Sequence, residues 1–323
     1  QHNFNREKRH PKEFKDLWDH KMKIFSNFLK ENKHSAFVPL TAGLDSRLLA
    51  TELDKNNVPI YAMTWGGNKK NIEISTALQL TPHLNNIRGH YLLYLRQSIV
   101  NQLLHFPIHS NWLTCLIFAE PLYFVQNLIK HECKTWFPGH SGGFMAGGHL
   151  RYKMKYWKNK NDVVKHISGN LTASPLTSIL MQHSHNINQS LNQSIRNSLP
   201  EDQDLISTYI RWDLENKQRR YVIRSSISEP HELMYLYLPY YDYDIMDFFL
   251  NLPFSQLINK NLKIHTLSKY IYKDYPAFRK IKNNGKPLKA PKINIVYEYR
   301  NKLKKEIKSF LKLDAQKTQE YSS

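Results

Sequence analysis

The pattern of apolar and polar residues predicts an amphipathic helix near the start of the chain and alternating strands and helices after it. Within residues 12–32, apolar side chains recur every three or four positions. Continuous apolar runs at residues 36–40 and 58–65 predict buried strands, and helical patterns follow them at residues 47–53 and 71–84. This alternation indicates a parallel sheet with right-handed crossovers. The apolar positions of the first helix are Phe14, Leu17, Trp18, Met22, Phe25 and Leu29.

A turn of small and hydroxyl-bearing residues, 41–46, joins the first predicted strand to its helix. Such a turn places free backbone N–H groups and a helix N-terminus at one point, which favours phosphate oxygens. Gly43 lets the backbone approach a ligand closely, and Thr41 and Ser46 add hydroxyl donors. Asp45 would repel phosphate unless a divalent cation lay between them, so we predict a nucleotide-phosphate site with Mg²⁺ held partly by Asp45. The alternative is an ordinary turn in which Asp45 and Ser46 cap the helix.

A second glycine-rich stretch occupies residues 139–148. It holds five of the 11 glycines of the chain, which predicts a loop whose backbone approaches a ligand or another segment. Ligands of parallel α/β sheets bind at the carboxyl ends of the strands. We therefore expect the two loops to meet at one ligand, although about 95 residues separate them.

These motifs resemble those of the PP-loop ATP pyrophosphatases related to asparagine synthetase. Residues 41–47, Thr-Ala-Gly-Leu-Asp-Ser-Arg, resemble the family signature Ser-Gly-Gly-x-Asp-Ser, and residues 134–148 resemble its second motif, Ser-Gly-x-Gly-x-Asp-Glu followed by Gly-Gly. Residues 211–224 are similar to an Arg-rich helix of the family, and residues 238–250 to its Val-Pro-Phe-Leu-Asp segment and the helix after it. The matches follow the family's order over roughly residues 12–290.

The resemblance implies an α/β PP-loop fold of the adenine nucleotide alpha hydrolase type, with a parallel sheet flanked by helices and a mostly helical C-terminal half. Its parts would be an N-terminal helix and linker (1–35), a nucleotide-binding core (36–150) and the helical half of the synthetase-like domain (151–323). The implied activity is that of an ATP-dependent amide-forming ligase, which adenylates a carboxylate and releases AMP and pyrophosphate. The implied cofactors are ATP and Mg²⁺, and we expect a cytoplasmic protein.

The implied substrates are a small-molecule or peptide carboxylate and an amine or ammonia donor. Asparagine synthetases carry an N-terminal glutaminase domain with a terminal nucleophilic cysteine, and nothing in this sequence resembles it. The resemblance therefore implies ammonia from a missing glutaminase domain or an amine from elsewhere.

Individual site residues are carried over from the matching motifs. His140 would accept a proton from the attacking amine, a structural loop histidine being the alternative. Either Lys282 or Lys286 would stabilise the charge of the transition state, and the sequence does not distinguish them. Arg47 would clamp a phosphate or a substrate carboxylate, or is an exposed helix residue. The expected nucleotide contacts are Leu40, Thr41, Ala42, Gly43, Leu44, Asp45, Ser46, Arg47, Thr64, Gly66, Pro138 and Gly139.

The sequence departs from the family pattern at the second motif. Gly143 stands where the family has a metal-binding Asp, and Phe144 stands where a Glu follows. Asp242 and Asp244 are candidates to replace the missing carboxylate, although we favour helix capping for both. Two interpretations stay open: an enzyme of altered chemistry, or a catalytically degenerate nucleotide-binding or scaffolding relative.

The formal charge of +19 adds a rival interpretation, a tRNA-modifying PP-loop enzyme with a nucleic-acid partner. Residues 151–158 interleave aromatic and cationic side chains, as base-stacking surfaces do. An amphipathic helix with snorkelling lysines explains the same pattern and is favoured, because the charge is spread along the whole chain.

Composition excludes several other classes. The hydrophobic fraction of 41% indicates a globular chain, and no run of about 18 apolar residues predicts a membrane span. Two cysteines, Cys115 and Cys133, do not make a disulfide scaffold, and the 16 histidines lack the spacing of a zinc site.

Overall fold

The computed structural model describes residues 6–94, 133–173, 185–201, 204–223, 234–281 and Leu288. The described residues lie within one compact unit, Gln1–Leu288. The predictions for Cys115, Lys282 and Lys286 fall outside the described residues.

Five parallel strands form the described sheet, in the order β3-β2-β1-β4-β5. The chain leaves β1 toward β2 and β3 on one side, and later returns to the other side of β1 with β4 and β5. The strand order therefore reverses between β1 and β4, which is where open α/β sheets bind ligands. The strands are β1 (Ala36–Pro39), β2 (Ile60–Gly66), β3 (Ile87–Tyr94), β4 (Thr135–Trp136) and β5 (Tyr235–Leu236).

Helices flank this sheet, and they dominate the described C-terminal half as the sequence predicted. The α-helices are α1 (Pro11–Glu31), α2 (Leu44–Lys55), α3 (Ile72–Leu80), α4 (Gly142–Met145), α5 (Lys160–Leu171), α6 (His185–Asn197), α7 (Leu205–Asp213), α8 (Tyr243–Leu250), α9 (Phe254–Leu257), α10 (Asn261–Lys269) and α11 (Pro276–Lys280). A π-helical stretch, Leu214–Ile223, continues α7, and 3₁₀ turns cover Thr81–His83, Tyr152–Tyr156, Pro239–Tyr241, Ile258–Lys260 and Ile271–Lys273. None of the described helices has both the length and the apolar character needed to cross a bilayer.

The fifth strand differs from the sequence-based prediction. Tyr235–Leu236 lies in the half predicted as helical, yet it pairs with β4 and completes one edge of the sheet. The backbone N–H of Tyr235 donates to the Lys134 carbonyl at 2.7 Å. A two-residue strand is too short to show the alternation that marks longer strands in a sequence.

Helix α1 is the amphipathic helix that the apolar spacing predicted. His10 and Glu13 cap its N-terminus reciprocally. Phe14, Trp18, Met22 and Leu29 are completely buried, and the helix packs against α2, α8 and α10. The same helix therefore supports both the first crossover of the sheet and the C-terminal helices.

Strand β1 forms the centre of the core. All four of its residues are buried, as expected for a central parallel strand covered on both faces. Ala36 and Val38 join the larger apolar cluster, whereas Phe37 joins a smaller one on the other face, where its ring centroid lies 4.7 Å from that of Trp136. The strand thus fixes the starting position of the 41–46 turn.

A buried carboxylate, Glu52, lies on α2 beside a cluster of charged side chains. Its side chain is 1% exposed, and its Oε2 atom lies 3.7 Å from Lys55 Nζ, beyond hydrogen-bond distance. Burial raises the pKa of Glu52 to about 7, and the charge of Asp19 acts in the same direction. Between about pH 5 and 7, the folded protein therefore holds a proton that the unfolded chain has released.

We expect Glu52→Gln to remove a pH-dependent loss of stability. Because the folded-state pKa lies above the unfolded value, the free energy of unfolding of the wild type should fall as the pH rises toward 7, at roughly 1.4 kcal/mol per unit of pKa difference. The variant should match the wild type near pH 5 and exceed it by ~1–3 kcal/mol near pH 8. Urea unfolding at both pH values measures this, with the exposed Glu31→Gln as control. An equal gain at both pH values would contradict it.

Candidate functional site

The two glycine-containing loops meet at the point where the strand order reverses. The 41–46 turn follows β1 and the 137–148 segment follows β4, and these strands are neighbours in the sheet. A Cβ atom at Gly139 would lie 3.0 Å from the backbone N of Ser46 and 3.2 Å from Asp45 Cβ. The convergence predicted for these loops is confirmed by this contact, and the absence of a side chain at residue 139 permits it.

The 41–46 turn is organised by its own hydroxyl groups. The backbone N–H of Thr41 donates to Ser46 Oγ at 3.0 Å, and the two hydroxyls share a hydrogen bond of 2.9 Å. The N–H of Gly43 donates to Thr41 Oγ1 at 3.0 Å. Gly43 is the N-cap of α2 and no side chain caps that end, so the alternative in which Asp45 and Ser46 act as caps is wrong.

A carboxylate from the neighbouring helix also reaches this turn. Glu73, in the first turn of α3, accepts a hydrogen bond from the backbone N–H of Ala42 through Oε2. Asn71 caps the same helix by accepting from the N–H of Glu73 at 2.9 Å. The amide groups of Thr41, Ala42 and Gly43 are thus all paired within the chain.

The carboxylate of Asp45 is bound by a buried lysine that the sequence motifs did not point to. Lys263, in the first turn of α10, is completely buried and donates from Nζ to Asp45 Oδ1. The same ammonium donates to the Tyr240 hydroxyl at 2.9 Å and lies 3.4 Å from the Gly142 carbonyl oxygen. Residues from four segments therefore meet at one nitrogen atom.

Lys263 stays charged despite its burial. Burial lowers the pKa of its ammonium to about 8, and Asp45 opposes that shift. The group is therefore still largely protonated at pH 7. A buried charge without a partner would be very costly, so Asp45 and the two further acceptors are needed to keep it there.

Tyr240 is held in place from the N-terminal helix. Its ring is completely buried, and its centroid lies 5.0 Å from that of Trp18 on α1. Helix α10 is tied to the same helix, because the hydroxyl of Thr266 donates to the Pro11 carbonyl at 3.0 Å. Helix α1 thus positions the Lys263 ammonium in two ways: it contacts Tyr240, which accepts a hydrogen bond from the ammonium, and it contacts α10, which carries Lys263.

A second lysine lies beside the glycines of the 137–148 segment. A Cβ atom at Gly143 would lie 3.1 Å from Lys260 Nζ and 3.4 Å from Asp45 Oδ2. A Cβ atom at Gly148 would lie only 2.4 Å from Lys260 Cε. The side chain of Lys260 therefore uses space that side chains at either glycine would occupy, and its ammonium adds a second positive charge near Asp45.

These residues do not fit a Mg²⁺ site. Mg²⁺ prefers several oxygen ligands in octahedral geometry, whereas Asp45 is already paired with an ammonium group. Among the described residues, no three His, Cys, Asp or Glu side chains are grouped so that they could hold a metal ion. The Mg²⁺ at Asp45 stays a prediction that this donor set does not support.

Asp242 and Asp244 do not supply the missing carboxylate. Asp242 caps α8, where its Oδ1 accepts from the N–H groups of Asp244 and Ile245 at 3.0 and 3.3 Å. Lys21 forms an ion pair with both aspartates. The capping interpretation is therefore confirmed for Asp242, whereas Asp244 lies in the first turn of α8 and does not cap it.

Arg47 lies in the core. Its side chain is completely buried and donates to the carbonyl oxygen of Ile281 at 3.1 Å and to that of Phe278 at 3.5 Å. The guanidinium therefore supports the chain around α11, so the expectation of an exposed helix residue is wrong. Its role as a phosphate clamp stays a prediction.

The residues expected beside the nucleotide at the ends of β1 and β2 have structural contacts of their own. Thr64 is buried, donates to the Leu40 carbonyl at 2.6 Å and hydrogen-bonds His90 Nε2 at 2.9 Å. A Cβ atom at Gly66 would lie 2.6 Å from the side chain of Asn71. The buried members of the expected set also include Ala42, Leu44 and Pro138.

His140 lies next to the loop contact, between Gly139 and Ser141. Burial lowers the pKa of its imidazole to about 4, so the ring is neutral at pH 7 and is a weak proton acceptor. Ser141 adopts a left-handed backbone conformation and its hydroxyl donates to Gln218 Oε1 at 2.7 Å. The catalytic role of His140 stays a prediction.

Lys263 was missed because no local motif marks it, although one signal was available. In α10, Leu262, Thr266 and Leu267 are buried on the face that also carries Lys263. A lysine at an apolar position of a helix is unusual, because lysines are almost never fully buried unless paired. The lysine at an otherwise apolar position of this helix is the feature of the sequence that could have identified Lys263.

Comparison with known families agrees with this geometry. The asparagine synthase family model matches residues 35–312, from just before β1 to beyond the described helices. The match covers most of the chain, which therefore belongs to the asparagine synthase family, a family of ATP-dependent amide-forming synthetases. No curated protein matches the sequence.

We expect Gly142→Ala to destabilise the fold, because a Cβ atom there would lie 2.6 Å from the Tyr240 ring and 2.8 Å from Asp45 Cγ. Both neighbours are held by other contacts, so overpacking should lower the free energy of unfolding by about 1–3 kcal/mol. Thermal or urea unfolding measures this. Gly67→Ala is the matched control, since no atom lies within 4 Å of its Cβ position, and it should be neutral or slightly stabilising. Equal stability of both variants would contradict the prediction.

Proposed function

We propose that this member of the asparagine synthase family activates a carboxylate with ATP and transfers the acyl group to an amine. The observation that carries the proposal is the contact between Gly139 and Ser46, which brings two glycine-containing loops together where the strand order reverses. Crevices at this point of a parallel sheet bind ligands such as nucleotides. The family match supports the same class of reaction.

The proposed reaction has two steps. In the first, a carboxylate oxygen attacks the α-phosphorus of ATP, and the bond to the β-phosphate oxygen breaks, so pyrophosphate leaves with the electron pair. In the second, the amine nitrogen attacks the acyl carbon, AMP leaves with the electron pair, and the nitrogen loses a proton. The products are an amide, AMP and pyrophosphate.

Negative charge grows on the leaving phosphate oxygens in the first step. Fixed positive groups that face such charge lower the barrier, because they need no reorganisation when the reaction occurs. Lys263 is held by Asp45 and Tyr240, and Lys260 Nζ lies 3.1 Å from the Cβ position of Gly143. We assign the stabilisation of the leaving pyrophosphate to these two lysines.

Other residues would position the substrates. The hydroxyls of Thr41 and Ser46, together with the N-terminus of α2, lie where phosphate oxygens are favoured. His140 adjoins this point and is the candidate acceptor for the proton of the amine; its ring is neutral at pH 7, but the pKa of about 4 makes it a weak base for this step. Glu73 would have to release the Ala42 amide before that group could bind phosphate.

A second candidate function is nucleotide binding or scaffolding without catalysis. The specific observation that favours it is the environment of Asp45, whose charge is already neutralised by Lys263. Gly143 and Phe144 add no carboxylate in the second motif. A non-catalytic protein of this kind would have the same fold and loops but would not cleave ATP.

Product analysis separates the two candidates. We expect the protein, supplied with ATP, ammonia or amines and a panel of carboxylates, to release AMP and pyrophosphate in equal amounts with at least one carboxylate. Lys263→Met should lower the rate by about 100-fold or more, because a fixed charge at the reacting phosphate is lost. The exposed Lys269→Met, on the same helix, is the matched control and should keep the wild-type rate.

Chromatography of the nucleotide products gives the answer. Release of ADP and phosphate, or an unchanged rate in Lys263→Met, would contradict the assignment. Binding of ATP without AMP release from any member of the panel would favour the non-catalytic candidate.

A further inference from the structure

The surroundings of Asp45 combine one carboxylate with two ammonium groups. Lys263 Nζ donates to Asp45 Oδ1 from a fully buried position. Lys260 Nζ lies 3.1 Å from the Cβ position of residue 143, and that position is 3.4 Å from Asp45 Oδ2. A side chain at residue 143 would therefore start between the second lysine and the carboxylate, and glycine leaves this space to Lys260.

The groups nearest to Asp45 disfavour a metal cation. Two ammonium groups lie beside this carboxylate and the N-terminus of α2 adds positive potential, while the second carboxylate of the site, Glu73, is bonded to the Ala42 N–H. A divalent cation at Asp45 would have to displace Lys263, and the nearby ammonium of Lys260 would repel it. A phosphate oxygen, in contrast, is a suitable partner for the Lys260 ammonium, while Lys263 keeps Asp45 neutralised.

Both lysines are fixed relative to the 137–148 segment. Gly147 adopts a φ of +83°, and its Cβ position lies 2.3 Å from the Leu257 carbonyl oxygen, so the segment packs directly on the chain before α10. Lys260 precedes α10 and Lys263 lies in its first turn. The distance between the two lysines and the second loop is therefore set by backbone packing.

We propose that Lys263 neutralises Asp45 in place of a divalent cation and that Lys260, which is only partly buried, binds the pyrophosphate portion of a nucleotide directly, so that binding requires no metal. The identity of the ligand as a nucleotide rests on the proposed function. Because Mg²⁺ neutralises part of the phosphate charge, metal-free ATP should bind at least as tightly as its Mg²⁺ complex.

Calorimetric titration with ATP and with inorganic pyrophosphate, each in excess EDTA and in excess Mg²⁺, tests this. For the wild type, the dissociation constant measured in EDTA should be equal to or smaller than the one measured in Mg²⁺, with a tolerance of about threefold for the comparison. Lys260→Met should weaken binding in EDTA by about tenfold or more, as expected for the loss of a charged hydrogen bond. Lys263→Met should weaken it by a similar factor, because the charge of Asp45 is then not neutralised beside the phosphates. Lys269→Met should leave it unchanged. Unfolding curves check that the variants are folded. If Lys263→Met is unstable, Lys260→Met alone provides the test, because Lys260 is only partly buried and its replacement disturbs the fold less.

The outcomes distinguish this inference from the proposed function. Binding that is tenfold or more tighter in Mg²⁺ than in EDTA, or that is absent in EDTA, overturns the inference, whether or not the protein releases AMP. Binding in EDTA that neither lysine variant weakens also overturns it. Metal-free pyrophosphate binding that depends on both lysines supports the inference even if no carboxylate leads to AMP release, in which case only the proposed function fails.

Discussion

The ion pair between Lys263 and Asp45 is the interaction on which the arrangement of the site depends. An ammonium group that is completely buried needs charge and hydrogen-bond partners, because desolvation alone would neutralise it or unfold its surroundings. Its partners come from α2, from the Pro239–Tyr241 turn and from the loop after β4. A single nitrogen atom thus holds three separate segments against α10.

Close approach between these segments is possible only because of glycine. The Cβ positions of Gly139, Gly142 and Gly148 each lie within about 3 Å of atoms in other segments. Most of those atoms belong to buried rings or backbone, which cannot move aside as an exposed side chain can. The glycine-rich composition of the second loop is therefore explained by packing against Asp45, Tyr240 and Lys260, and not only by the approach of a ligand.

Much of the fold was predictable, because in long helices and strands the spacing of apolar residues shows which face is buried. Helix α1, strands β1 and β2, and the helices that follow them were identified from apolar spacing, with boundaries that differ by at most four residues. The convergence of the two loops also followed, since neighbouring parallel strands end at the same edge of a sheet. Strand β5 was missed because its two residues pair only with β4, whose residues lie 100 positions earlier in the chain.

The sequence by itself determined the alternation of strands and helices, the hydroxyl-bearing turn after β1 and the absence of a carboxylate at residue 143. Only the tertiary structure decided which cation neutralises Asp45, because Lys263 is 218 residues away and carries no local motif. It likewise decided that Arg47 points into the core while Lys260 takes the space beside Gly143. The physical reason is that periodicity and motifs record local geometry, whereas the pairing of buried charges depends on which distant segments share one low-dielectric site.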